Sequence, residues 1–129
     1  MSSAETLDRW LDAINHHDAP ALAALMAPDF VFVDSLGHRV EGAKSMDAGW
    51  RGYFAMCPDY WVRADLALAE GGAVLLAGEA GGTIDGETWR APAAWKANIN
   101  GGRIVEWRVF ADNKPVYEIL ARRRKSVAQ

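Results

Sequence analysis

Apolar residues recur at Leu7, Trp10, Leu11 and Ile14, the i, i+3, i+4, i+7 spacing of one helical face, with Ser2 and Glu5 at capping-box spacing before them. A helix over residues 4–16 is expected, ended by His16, His17 and Asp18. Asp18 and Pro20 restart the chain as a short helix whose apolar side is Leu22, Leu25 and Met26, and Pro28 is expected to stop it. Phe30 to Asp34 then reads as a strand, Ser35-Leu36-Gly37-His38 as a turn and Arg39 to Glu41 as the return, which makes a small β-hairpin. After Gly42, the positions Met46, Trp50, Tyr53 and Phe54 form the face of a third helix, and Pro58 marks its end.

From Tyr60 onward the period changes to two. Tyr60–Ala69, Ala73–Ile84, Thr88–Asn98 and Arg103–Ala111 read as strands separated by Gly71-Gly72, Asp85-Gly86 and Asn100-Gly101-Gly102, each a hairpin signal. In the last two strands Trp89, Ala91, Ala93, Trp95 and Ala97, with Val105, Trp107, Val109 and Ala111, fall on one face, and Arg90, Lys96, Glu106 and Arg108 on the other. A three-residue loop would pair Trp95 with Trp107. Val116, Ile119 and Leu120 suit one docked helical turn, and the basic end after residue 121 is expected to be disordered. The order predicts an α+β fold over residues 1–121: a cone-shaped barrel in which a curved antiparallel sheet wraps around three helices.

Composition sharpens this picture in one respect. Six tryptophans stand in 129 residues beside three tyrosines and four phenylalanines, and alanines and glycines fall next to the rings. So many rings in one small domain either fill a large core or wall a cavity. Residues 1–121 hold 10 basic against 17 acidic side chains, a net −7, which argues against nucleic acid as a partner. No apolar run approaches the length of a membrane span and no secretory leader is seen, so no membrane partner and a cytoplasmic protein are expected. One cysteine, Cys57, allows no internal disulfide. No histidines and carboxylates share zinc spacing, and Gly71-Gly72, Gly81-Gly82 and Gly101-Gly102 read as turn doublets and not as a phosphate loop. Neither a metal nor another cofactor is expected.

Asp34 carries the chemistry. At the end of a buried strand, a carboxylate in an apolar pocket can act as a general base, and the competing reading is a turn-capping aspartate, since Asp-Ser begins a turn well. His38, four residues on, could reach the same space as an acid. Arg90, between Trp89 and Pro92, could orient an anionic or carbonyl group, or pair across the sheet with Glu87 or Glu106. Trp10, Trp50, Tyr53, Trp89, Trp95 and Trp107 are candidates to line a cavity, and Asp112 either joins them or caps the terminal turn.

The stretches RWLDAINHHDAPALAALMAPDFVFVDSLG at residues 9–37 and WRAPAAWKANINGGRIVEWRVFADNKPVYEIL at 89–120, in this order of elements, resemble the nuclear-transport-factor-2-like superfamily, and the second resembles SnoaL-like proteins. That superfamily includes ketosteroid isomerases, SnoaL-like polyketide cyclases and limonene-epoxide hydrolases on a cystatin-like scaffold, so the resemblance implies fold more than function. Carried over from the isomerases, the base falls on Asp34, the donor tyrosine on Trp10 and the second acid on Ala94 or Ala93. Steroid isomerisation is therefore not expected. The hydrolase pattern would draw on Asp34, Arg90 and Asp112, and the cyclase pattern on Asp34, His38 and Asp112.

Three functions follow as expectations: a cofactor-independent isomerase, cyclase or hydrolase acting on a small apolar molecule, a non-catalytic binder of such a molecule, or an interaction domain with a filled interior. A homodimer through the outer sheet face is expected, because exposed aromatic sheet surface on a monomer invites aggregation. A cavity below roughly 300 Å3 would favour the third function.

Overall fold

The computed structural model describes residues 2–128, with side chains through Arg122. Ser2 caps the first helix, α1 (Ser3–Asn15), by accepting a hydrogen bond from Glu5 N at 3.1 Å. Asp18 caps α2 (Ala19–Leu25) in the same way, through Ala21 N at 3.1 Å. The helix ends before Pro28 acts on it: Met26 is already extended, and β1 (Met26–Val33) begins four residues earlier than its apolar run suggests. Pro28 instead sits within β1, in the stretch between Met26 and Val31 where the pairing register shifts, a place where a missing N–H costs little.

The remaining elements are β2 (Arg39–Glu41), α3 (Ala43–Met56), β3 (Trp61–Glu70), β4 (Ala73–Ile84), β5 (Glu87–Asn100), β6 (Arg103–Ala111) and α4 (Lys114–Ala128). The six strands form one sheet in the order β2-β1-β6-β5-β4-β3. The fold is α+β as expected, but the sheet is mixed and open: β1 runs parallel to β6, and no pairing joins β2 to β3 to close a barrel. The described residues form four helices where the pattern predicts three. The single turn expected at the C-terminus is α4, docked through buried Val116 and Ile119. The expected disorder of residues 122–129 falls mostly on side chains outside the described residues; Arg122, the first of them, donates to Glu87 Oε1 at 2.7 Å.

Tight turns fix the meander. Asp85 and Gly86, and Gly101 and Gly102, all take positive φ, the conformation of two-residue hairpin turns whose twist suits adjoining strands. Because the last turn has two residues and not three, and the register shifts by one more residue between Asn98 and Ile99, Trp95 faces Val109 and Trp107 faces Ala97, so the two indoles are diagonal neighbours, stacked at 6.1 Å. A register shift near Ile99 leaves Val105 unpaired and turns Ile104 into the core in its place. Gly81-Gly82 is not a turn but the middle of β4.

The core gathers where α1, α2 and α3 meet the concave face of the sheet. Trp10 is at its centre, fully buried, with ring contacts to Phe30, Trp50 and Trp107 at 5.7–5.8 Å. The end of α1 is tied to the start of β3 by Asn15, which donates to Val62 O and accepts from Val62 N. On the convex face Leu66, Leu68 and Leu75 are exposed.

Candidate functional site

Between α3, α4 and the concave side of β4, β5 and β6 lies a cavity of about 320 Å3. Alternation along β5 builds its floor, because Trp89, Ala91, Ala93 and Trp95 all point inward, and the alanines leave the space that the indoles wall. Helix α3 contributes Met46, Trp50, Tyr53 and Met56, and α4 contributes Val116, Tyr117 and Leu120. Phe32, Val40 and Trp107 complete the apolar lining.

The polar groups fall into two sets. One is phenolic: Tyr53 and Tyr60 meet edge to face at 4.8 Å, with Tyr117 near Tyr53. Tyr60 is held there through its backbone, whose carbonyl accepts from His17 Nε2 at 2.6 Å and whose N–H donates to Cys57 O at 3.1 Å. Burial pushes the pKa of both Tyr53 and Tyr60 well above that of an ordinary phenol, helped at Tyr53 by its neighbours Tyr60, Cys57 and Tyr117 and at Tyr60 by Cys57. Both therefore stay neutral at working pH. Neither hydroxyl hydrogen-bonds to a described residue, which leaves each free to meet an occupant of the cavity. The second set comprises Asp34, Ser35 and Asn113, where Ser35 Oγ accepts from Asn113 Nδ2 and from Ala111 N, both at 3.1 Å.

Asp34 lines the cavity and also holds its own turn. Its Oδ1 accepts from Leu36 N and His38 N, each at 2.9 Å, and its Oδ2 lies 3.2 Å from His38 Nδ1. The turn-capping role and a place in the cavity wall thus coexist in one side chain. His38 does not enter the cavity: its side chain is 76% exposed. Trp10 does not line it either, since it fills the core behind Trp50 and Trp107. Trp50, Tyr53, Trp89, Trp95 and Trp107 do line it. Asp112 sits on a shallower depression beside the cavity and caps the start of α4 through Lys114 N at 3.1 Å. The sequence reading missed Tyr60 and Tyr117, which no periodicity singles out because one precedes a strand and the other lies in a helix read as a single turn.

Arg90 points away from the cavity, on the convex face, as its even position in β5 requires. Its partner is neither Glu87 nor Glu106 but Glu79, whose carboxylate accepts from Arg90 Nε and Nη2 and from Arg63 Nη2. The two guanidinium groups lower the Glu79 pKa from its usual 4.5 to about 2, with hydrogen bonding from Arg90 the main cause. Since the folded-state value is depressed, the stability this cluster adds is present above about 4.5 and is lost as pH falls toward 2. Melting curves of the parent and Glu79→Gln should therefore differ most near neutral pH and converge by pH 2; a gap that widens on acidification would contradict the cluster's role.

A model of the SnoaL-like domain family matches residues 7–107. The chain belongs to this family. No curated protein matches it significantly in sequence. Among solved structures it is similar to a SnoaL-like polyketide cyclase, so described, from Jannaschia sp. CCS1, with 22% identity over 89% of this chain and 88% of that one and a TM-score of 0.80. It is similar also to a ketosteroid isomerase-like fold from Catenulispora acidiphila described in complex with trimethylamine (24% identity, 81% and 83% covered, TM-score 0.75). A third is an LEH-like epoxide hydrolase, so described, from M. tuberculosis (19% identity, 98% and 94% covered, TM-score 0.80). At these identities the likeness establishes the fold.

Within this SnoaL-like domain the hydrolase-type set does not assemble, because Asp34 lines the cavity, Arg90 is on the opposite face and Asp112 is outside. Of the positions aligned with the isomerase donors, only Ala93 lines the cavity. Side chains with hydrogen-bond donors that do line this cavity include Tyr53, Tyr60, Tyr117, Ser35 and Asn113. Among the described residues no group of three or more His, Cys, Asp or Glu side chains could hold a metal ion, and no helix is long and apolar enough to cross a membrane.

Proposed function

We propose that this SnoaL-like domain binds one small, predominantly apolar molecule between α3 and β5. The observation that carries the reading is the cavity itself: about 320 Å3, walled by indole and phenol rings, with two hydroxyls that have no partner among the described residues. A volume just above the lower end of small-molecule sites, roughly 300 Å3, suits a compact ligand. Aromatic walls supply the burial energy, and a few polar groups fix orientation.

A second reading, catalysis by an isomerase, cyclase or hydrolase without a cofactor, draws on Asp34, the one acidic side chain among the described lining residues. Its Oδ2 retains a lone pair beyond the His38 contact and would serve as the general base on a carbon or water proton of the bound molecule. His38 would act only through Asp34, from outside.

A screen of small molecules read by tryptophan fluorescence tests both readings, since four cavity residues are tryptophans. Binding should quench the emission. Ala93→Phe, which fills the floor, should abolish quenching while the fold is retained, and Asp34→Asn should abolish turnover and keep binding if the carboxylate is a base. A screen without quenching would sink the pocket reading and leave an interaction domain, whose exposed Leu66, Leu68 and Leu75 would then be the surface to test.

A further inference from the structure

The charge content of the cavity is lopsided. Among the described lining residues stands one carboxylate, Asp34, and no lysine, arginine or histidine. The depression next to it shares Ser35, Asn113 and Tyr117 with the cavity and adds Asp112 and Glu118 against a single Lys114, which lies 3.9 Å from Glu118. The whole chain carries net −3. An anionic ligand would meet no counter-charge among the described lining residues and an excess of carboxylates in the adjoining depression.

The walls favour the opposite sign. The face of an aromatic ring carries the negative part of its quadrupole, strongest for tryptophan, and attracts a cation most where water is excluded. Trp50, Trp89, Trp95 and Trp107, with Tyr53 and Tyr60, surround the space with such rings. Trp95 and Trp107 stack at 6.1 Å and 14°, and Tyr60 and Trp89 at 6.2 Å and 25°, so the walls are built of near-parallel pairs. Free phenol oxygens also present lone pairs to a cation or accept an ammonium N–H.

Resting on the pocket reading above, we infer that the ligand is a small organic cation, a tertiary or quaternary ammonium with apolar substituents, held by the indole faces and balanced by Asp34. The carboxylate is suited to this use as a fixed charge. Leu36 N and His38 N hold Oδ1 in place and Oδ2 lies 3.2 Å from His38 Nδ1, so the charge is fixed in the cavity wall and does not swing away, with its side chain 32% exposed. The ammonium exchanges its hydration for ring faces, and the carboxylates of the adjoining depression concentrate cations beside it.

The test compares choline with 3,3-dimethylbutan-1-ol, which has nearly the same shape and no charge, by calorimetry and tryptophan quenching on the full chain. Choline should bind at least tenfold more tightly. Asp34→Asn, in which the amide oxygen can still accept the two backbone N–H bonds, should lower choline affinity several-fold and leave the alcohol unchanged. Raising the salt concentration should weaken choline binding alone. Equal binding of the two probes, or tighter binding of the alcohol, overturns the inference while the pocket reading stands. If choline does not bind and a neutral apolar probe does, the cation class fails in the same way. If no probe of either class binds, the pocket reading fails as well. The comparison of the two probes on the unsubstituted protein depends on no variant folding.

Discussion

Trp10→Ala is expected to lower the unfolding free energy by about 3–5 kcal/mol, the range for deleting a fully buried large ring, and to shift the melting temperature by roughly 10–20 °C. Against a total stability of about 5–15 kcal/mol this is a large fraction. The reason lies in its contacts: Trp10 is fully buried and touches Phe30, Trp50 and Trp107, which bridges α1 to β1, α3 and β6. Trp10→Phe should cost far less. The indole N–H of Trp10 is buried without a partner, so phenylalanine loses volume and at the same time removes an unsatisfied donor. Urea denaturation of the three proteins checks the order. A Trp10→Ala loss below about 1.5 kcal/mol would show that the core collapses around the gap.

Gly82→Ala and Gly78→Ala should be the next most damaging changes. A Cβ at Gly82 would fall 2.3 Å from Cys57 Sγ and 3.2 Å from Tyr60 Cα, where the segment after α3 crosses β4. At Gly78 it would fall 1.8 Å from the carbonyl oxygen of Arg63, beside the register shift between Ala64 and Leu66. Backbone cannot step aside as a flexible side chain can, so each substitution should cost at least the 1–3 kcal/mol typical of overpacking. Gly82→Ala should also weaken ligand binding, since it pushes on the backbone that positions Tyr60. Gly52→Ala is the matched control. Nothing lies within 4 Å of its Cβ, and in the interior of α3 an alanine should add about 0.5–1 kcal/mol. Thermal melts of the three variants decide the matter, and equal effects at all three positions would refute the steric argument.

Local chemistry wrote much of this fold into the chain. The caps at Ser2 and Asp18, the 3.6-residue face of α1 and the Asp85-Gly86 turn depend only on neighbours within a few residues, and each forms where its residues predict; the last turn forms too, but as Gly101-Gly102 with Asn100 kept in the strand. The inward alternation of Trp89, Ala91, Ala93 and Trp95 is of the same kind, because a strand must send successive side chains to opposite faces. That alternation alone put four residues in the cavity wall and Arg90 outside it.

What only the tertiary structure decided are the features that depend on distant segments meeting. The parallel pairing of β1 with β6 joins residues about 75 apart in sequence and makes the sheet mixed. The glycines at 81 and 82 resemble a turn, yet they serve a strand that Trp61 crosses on one face and Cys57 and Tyr60 on the other. Trp10 and Trp107 have the same local signature of a large ring on an apolar face, but one fills the core and the other walls the cavity, because the space between α3, α4 and β5 is left by all three together. Tyr60 is held in the site in part by His17, 43 residues earlier, which donates to its carbonyl. Hydrophobic pattern fixes which face a side chain takes; whether that face meets packed neighbours or open space is settled by long-range contacts that no local period encodes.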